Sequence, residues 1–170
     1  MTPGEFMYVK QTAGMMSVAQ LEWLSARASE SPSWTEVGVY CGRSALAVGL
    51  DLPPNSLLQL VDVKFDPRFY PNLAWLLRLR PSLRITLQQS TSVEAARHLE
   101  NTYAGFIDDS HFYEYVAASV DAWKGKCQFL CGHDYEDDLN SVHAGVKMAV
   151  DERFHIKRPV PSIWQRTGDL

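Results

Sequence analysis

The sequence lacks the features by which several function classes are usually recognised. Its 16 lysines and arginines are outnumbered by 20 aspartates and glutamates, which argues against nucleic acid, since phosphates bind clustered cations. No apolar run is long enough to span a membrane, and the N-terminus has no signal-peptide pattern. Three cysteines are too few for a disulfide framework. We therefore expect one domain, residues 1–170, in the reducing cytoplasm, with neither membrane nor nucleic acid as a partner.

Several short motifs are absent as well. The dinucleotide fingerprint G-x-G-x-x-G does not occur, which disfavours an NAD-type oxidoreductase. Residues 42–45, GRSA, lack the second glycine of the G-x-S-x-G nucleophile elbow. Cys127, Cys131 and His133 form C-x-x-x-C-x-H, but both cysteines lie in an apolar strand pattern with no second ligand pair nearby. This pattern indicates core cysteines and not a zinc site.

Strand and helix patterns alternate along the chain. Apolar runs predict strands at 34–38, 57–62, 83–87, 103–108 and 127–131, and the tail predicts a closing hairpin from 156–160 and 162–166. Helical spacing predicts helices at 17–28, 42–50, 66–79, 92–99, 111–123 and 141–154, with Asp66 as the N-cap of the third and Pro67 at its first position. Such alternation predicts an α/β fold, a mostly parallel sheet with helices on both faces.

Polar residues follow the predicted parallel strands. In open α/β sheets the ligand binds beyond the carboxyl ends of the strands, so this edge is the predicted site. The residues at these ends are Glu36, Asp62, Ser90, Asp108 with Asp109, and His133 with Asp134.

The first strand leads into a glycine loop with an unusual spacing. Glu36, Gly38, Gly42 and Ser44 form E-x-G-x-x-x-G-x-S. Glycine lets a backbone approach a ligand closely, and the helix that follows offers unpaired N–H groups. Because the acidic residue precedes the glycines, the loop favours a ligand with a cationic amino-acid portion over a pyrophosphate. S-adenosylmethionine (SAM) is such a ligand.

Three segments carry a family resemblance. Residues 36–45, EVGVYCGRSA, resemble the cofactor loop of catechol O-methyltransferases, E-x-G-x-Y-C-G-x-S-A. Residues 106–116 resemble the IDG-x-H-x-Y-x-x-V signature of a related branch that includes macrolide sugar O-methyltransferases. Residues 132–135 and 145–152 resemble that branch's GHDY…GV-x-x-AV-D-E. The resemblance implies a class I SAM-dependent methyltransferase. Its fold would be a Rossmann-like, doubly wound, seven-stranded sheet with one antiparallel strand near the C-terminus.

The resemblance also implies the cofactor contacts. Glu36 would hold or orient the amino end of the methionine portion, directly or through the loop, and Tyr40 and Ser44 would contact the same portion. Asp62 would accept the ribose hydroxyls, and Ser90 would meet the adenine. The full set of implied cofactor-binding residues is Glu36, Gly38, Tyr40, Gly42, Ser44, Asp62, Ser90, Asp108 and Asp109.

A divalent metal, Mg²⁺ or Mn²⁺, is implied at Asp108, His133 and Asp134, where it would stabilise an ionised acceptor hydroxyl. His133 departs from the pattern, because magnesium prefers oxygen ligands whereas imidazole suits softer ions. Three alternatives follow. The ion is softer than magnesium, or Asp109 replaces His133 as a ligand, or no metal binds and Asp108 caps the next helix.

His111 lies three residues after Asp108, where the related enzymes carry the general base. The resemblance therefore implies that His111 and Asp108 are catalytic, and an imidazole can accept a hydroxyl proton near neutral pH. The alternative is a helix-start histidine that contacts the cofactor or bonds Asp109. The other histidines have surface-like patterns, although His143 could reach the mouth of the site; they are His98, His143 and His155.

The function implied is methyl transfer from SAM to a hydroxyl of a small molecule, such as a sugar or a diol. The chain has little beyond the minimal core with which to cover an acceptor, so a homo-oligomer or partner could complete the site. Residues 1–16 are expected to be a flexible lid over the cofactor, a dimer-forming arm or a disordered arm. The alternative function is a non-catalytic binding or assembly subunit with the same fold.

Overall fold

The computed structural model describes residues 1–170, and its centre is one seven-stranded sheet in the order β3-β2-β1-β4-β5-β7-β6. Strands β1 to β5 are parallel, while β7 is antiparallel to both β5 and β6. The predicted α/β class, the single antiparallel strand and the closing hairpin are thus confirmed. The strands are β1 Ser33–Val37, β2 Leu57–Asp62, β3 Arg84–Gln89, β4 Thr102–Ile107, β5 Cys127–Tyr135, β6 Phe154–Lys157 and β7 Ser162–Asp169.

Seven helices surround the sheet, and none has the length and apolar character needed to cross a membrane. Ser17 and Thr91 begin two of them with capping boxes, in which the side chain accepts from a backbone N–H of the first turn. The helices are α1 Pro3–Gln11, α2 Val18–Ser29, α3 Arg43–Asp51, α4 Phe69–Leu79, α5 Ser92–His98, α6 Tyr113–Trp123 and α7 Ala144–Asp151.

Two apolar clusters cover the two faces of the sheet. One contains Leu58 and Leu60 of β2 with residues of α1 to α4, and the other contains the next residue of β2, Val61, with residues of α5 to α7. Successive residues of a strand point to opposite faces, so one buried strand supplies both clusters. The three cysteines are unpaired and buried, and Cys127 and Cys131 belong to these clusters, as the apolar strand pattern predicts.

Three predicted boundaries were wrong. The helix expected from Asp66 begins at Phe69, because the Asp66 carboxylate accepts from the backbone N–H of Arg68 in a turn and does not cap a helix. Strand β5 continues to Tyr135, and α7 is shorter than expected. The pairing of β5 with β7 shifts register between Gly132 and Tyr135, and Asp134 has φ +58°, which marks a bulge.

Residues 1–16 form α1 and the loop after it. Val9 is fully buried, and Tyr8 stacks on Trp75 with ring centroids 4.1 Å apart. The Tyr8 hydroxyl donates to Asn72 Oδ1 at 2.9 Å. These contacts dock α1 on α4, so any lid movement concerns the loop after α1. The lid itself stays a prediction.

Candidate functional site

The glycine loop after β1 is held against the end of β4. Gly38 has φ +88°, and a Cβ atom there would lie 2.0 Å from the carbonyl oxygen of Asp108. The Asp108 N–H donates to the Val37 carbonyl at 2.8 Å. Only glycine combines this left-handed backbone with so close an approach. The loop therefore brings the ends of β1 and β4 together, which positions Asp108.

Asp62 closes β2 and holds the same loop from the other side. Its Oδ2 accepts from the backbone N–H groups of Val39 at 2.9 Å and Tyr40 at 3.1 Å, and its Oδ1 accepts from Lys64 at 3.0 Å. A carboxylate has about four lone-pair sites, so Asp62 keeps acceptor capacity for a ligand. It lines a cavity, as a ribose-binding residue must.

Glu36 is fully buried behind the loop and lines neither of the two cavities at the carboxyl edge of the sheet. The Ser44 hydroxyl donates to its Oε1 at 2.6 Å, and Oε2 has no partner. Burial raises the pKa of Glu36 to about 8, against the opposing effect of the Ser44 hydrogen bond. Glu36 was expected to orient the methionine portion of SAM either directly or through the loop. Its buried position suits the indirect role, with Ser44 as the intermediate contact.

Two cavities lie along the carboxyl edge of the sheet. The larger, about 450 Å³, is lined by Asp62, Val63, Ser90, Asp109 and Tyr115 among others. The smaller, about 260 Å³, is lined by residues 13–16, Arg43, Ser44 and the histidine cluster. Gly38, Tyr40 and Asp108 line both cavities. The site therefore has two chambers that meet at these three residues.

Asp109 belongs to the larger chamber alone. The Ser119 hydroxyl donates to its Oδ2 at 2.6 Å, and burial raises the pKa of Asp109 to about 6. It is not part of the cluster of Asp108, His133 and Asp134 that could hold a metal. This position does not suit the alternative in which Asp109 replaces His133 as a ligand.

His133 lies between two carboxylates. Its Nδ1 is 2.9 Å from Asp134 Oδ1 and 3.5 Å from Asp108 Oδ1, and the bulge in β5 lets two successive residues face the chamber. Burial disfavours the charged imidazole, but the hydrogen bonds and charges of both aspartates outweigh it and raise the pKa of His133 to about 10. Burial opposes ionisation of Asp134 too, and His133 outweighs it, so the pKa of Asp134 is lowered. The two carboxylates thus favour the imidazolium form of His133, although burial raises the pKa of Asp108.

Asp134 also binds His111 from its second oxygen. His111 Nε2 lies 2.8 Å from Asp134 Oδ2, and its side chain is 46% exposed at the smaller chamber. The His143 ring meets His111 edge-on, with centroids 4.4 Å apart. His143 has a surface-like sequence pattern but was expected to be able to reach the mouth of the site, and it lines the chamber from the start of α7.

Residues of the motif at 132–135 and 145–152 also anchor α7. The Tyr135 hydroxyl donates to Asp151 Oδ1 at 2.6 Å and accepts from Lys147 Nζ at 3.0 Å. The Tyr113 hydroxyl donates to Glu152 Oε2 at 2.6 Å. These bonds fix α7 against β5 and α6, and with it His143 at the N-terminal end of α7.

Comparison with known proteins identifies the fold. No protein-family model matches the sequence, and no curated protein matches it at a significant level. Among solved structures, a Corynebacterium glutamicum protein covers 99% of this chain and 91% of its own at TM-score 0.72 and 16% identity. A Bacillus cereus O-methyltransferase solved with SAH matches over 98% of this chain and 91% of its own, at TM-score 0.70 and 13% identity. The chain has the class I methyltransferase fold. The Streptomyces achromogenes O-methyltransferase TomG, solved with SAM, matches over 98% of this chain and 90% of its own, at TM-score 0.69 and 12% identity.

Proposed function

We propose that this protein transfers the methyl group of SAM to a hydroxyl of a small molecule. The observation that carries the proposal is the pair of chambers meeting at Gly38, Tyr40 and Asp108. One chamber has a carboxylate suited to a ribose, and the other has ionisable groups suited to an acceptor. A methyl donor that spans both would present its sulfonium near the junction. The SAM and SAH complexes of similarly folded O-methyltransferases support this arrangement.

The larger chamber would take the nucleoside. Asp62 would accept the ribose hydroxyls, and Ser90 would meet the adenine between the exposed apolar side chains of Val63 and Tyr115. The methionine portion would enter the smaller chamber toward Ser44 and the N-terminus of α3, whose unpaired N–H groups suit its carboxylate.

His111 would act as the general base. Because the Asp134 carboxylate can only accept, Nε2 of a neutral His111 carries the proton at their 2.8 Å contact, which leaves the Nδ1 lone pair for the acceptor hydroxyl. Methyl transfer is an in-line displacement, so the protein mainly positions two reactants and removes one proton. Asp108, at the junction of the chambers, would orient both.

The cluster of Asp108, His133 and Asp134 fits a divalent ion. Carboxylate oxygens flank one imidazole nitrogen, and a divalent ion in place of the His133 proton would balance the charge of both carboxylates, whereas an imidazolium balances one. The nitrogen donor favours manganese over magnesium. Such an ion supplies charge that stabilises an ionised hydroxyl.

The acceptor would be a sugar or diol with an apolar portion. Phe112 and Val142 are 71% and 79% exposed, and they flank His111 and His143 in the sequence. An apolar part of the acceptor, or a second copy of the chain that completes the chamber, would cover these side chains.

Calorimetric titration with SAM tests the proposal. We expect saturable binding to the wild type and its loss in Asp62→Ala. Glu100→Ala removes an exposed carboxylate outside both chambers and should bind as the wild type does. Absence of SAM binding to the folded wild type would refute the cofactor assignment. Binding without turnover on a broad panel of hydroxyl acceptors would favour the non-catalytic subunit.

A further inference from the structure

We propose that His111, Asp134 and His143 form a binding site for a late first-row divalent ion such as Zn²⁺. This site is distinct from the position between Asp108 and His133. Both groups of residues bring their ligand atoms within 4.8 Å of one another, and they have only Asp134 in common.

The distances suit a tetrahedral ion. Ligand atoms around tetrahedral Zn²⁺ lie roughly 3.3 Å apart, given bond lengths of about 2.0–2.1 Å. His111 Nε2 lies 2.8 Å from Asp134 Oδ2, and His143 Nε2 lies 3.9 Å from Asp134 Oδ1. The His111–Asp134 distance is shorter than tetrahedral coordination requires, and the His143–Asp134 distance is longer. A small rotation of the half-exposed His111 side chain would lengthen the first distance, and a small rotation of the His143 side chain would shorten the second.

A second carboxylate lies beside one of the ligands. His143 Nδ1 is 3.1 Å from Glu136 Oε1, a close charge contact without hydrogen-bond geometry, and its Nε2 faces Asp134. A carboxylate on the far nitrogen of an imidazole is the usual outer partner of a metal-binding histidine, because it fixes the ring orientation and the tautomer. The Tyr135–Asp151 bond holds the helix that follows His143.

The donor chemistry separates the two positions. Two imidazoles with one carboxylate suit zinc, cobalt or iron, whereas the position at Asp108 offers one imidazole and two carboxylates. His111 and His143 both line the smaller chamber, so a fourth ligand, water or an acceptor oxygen, has room there.

Occupancy of this site has a consequence that rests on the proposed function. An ion on His111 Nε2 takes that lone pair and leaves the proton on Nδ1, so His111 can no longer accept a proton from the acceptor. Zn²⁺ would then inhibit methyl transfer.

Visible absorption during Co²⁺ titration tests the site without any assay of turnover. Tetrahedral Co²⁺ gives intense d–d bands. Because the two positions share Asp134, we expect these bands to saturate at one ion per chain. His143→Gln should weaken this binding by about tenfold or more, as should His111→Gln. Asp108→Asn should leave the bands in place, and so should the control His98→Gln, which removes a histidine outside both chambers.

Loss of the bands in Asp108→Asn, or their persistence in His143→Gln, would overturn the proposal, as would a wild type that binds no Co²⁺. Thermal unfolding of each variant establishes that it is folded, and His111→Gln replaces His143→Gln if the latter is not. SAM titration of the same samples separates the outcomes. A protein that binds Co²⁺ as described but not SAM supports the metal site and contradicts the proposed function.

Discussion

The Ser44 hydroxyl donates a 2.6 Å hydrogen bond to a Glu36 carboxyl that is fully buried. The second oxygen of that carboxyl has no partner, and burial raises the pKa of Glu36 to about 8. Glu36 begins the loop motif, and the fold is therefore more stable when this carboxyl is protonated.

Glu36→Gln should remove a pH dependence of stability. The unfolded chain releases the Glu36 proton near pH 4.5 and the folded chain near pH 8, so the wild type loses stability as pH rises through this window. The loss is on the order of 4–5 kcal/mol. Urea unfolding at pH 5, 6.5 and 8 measures it. The exposed control Glu100→Gln should keep the wild-type slope, and an unchanged slope in Glu36→Gln would contradict the assignment.

Gly38→Ala should destabilise the fold and abolish SAM binding. The added Cβ would meet the Asp108 carbonyl at 2.0 Å on a backbone with φ +88°, so the ends of β1 and β4 must separate. We expect a loss of about 2–4 kcal/mol. Gly125→Ala is the matched control, because a Cβ there meets nothing within 4 Å. Denaturant unfolding and SAM titration provide the readouts, and equal stability of the two variants would argue against the tight approach.

His111→Gln should lower kcat by about 10²–10⁴ while SAM affinity changes little, since the residue would act on the acceptor proton. The measurement is turnover at saturating SAM once an acceptor is known, alongside calorimetry. His155→Gln, at an exposed position on β6, should behave as the wild type. Turnover of His111→Gln near the wild-type rate would show that another group accepts the proton.

Chelation should lower methyl transfer if an ion at Asp108, His133 and Asp134 assists the acceptor. We expect EDTA to reduce turnover and Mn²⁺ to restore it better than Mg²⁺, because one donor is a nitrogen. Asp108→Asn should bind Mn²⁺ more weakly in calorimetry. Full turnover after exhaustive chelation would contradict metal assistance.

The sequence allowed the architecture to be predicted, and with it which polar residues share one edge of the sheet, because both follow local patterns. Buried strands and glycine spacing are visible over ten residues, and the polar residues at the strand ends share one edge by topology alone. Asp62 and Asp108 line cavities at that edge as expected, whereas Glu36 is buried behind the loop.

The remaining features depend on contacts distant in sequence. The bulge at Asp134 arises from pairing with β7, about thirty residues later in the chain. His143 reaches the chamber because the Tyr135–Asp151 bond docks α7 on β5. Asp66 is a local exception, because it could equally cap a helix or close a turn, and its contact with Arg68 two residues later decides which.

Arg43, the first residue of α3, also fastens the loop after α1. Its guanidinium donates to the carbonyls of Gly14 at 2.9 Å and Lys10 at 3.1 Å, and residues 13–16 form one wall of the smaller chamber. If a product left past this wall, both bonds would have to break first. The same two bonds also hold down the N-terminal segment, so more fraying of that segment would mean a shorter residence time of the bound cofactor.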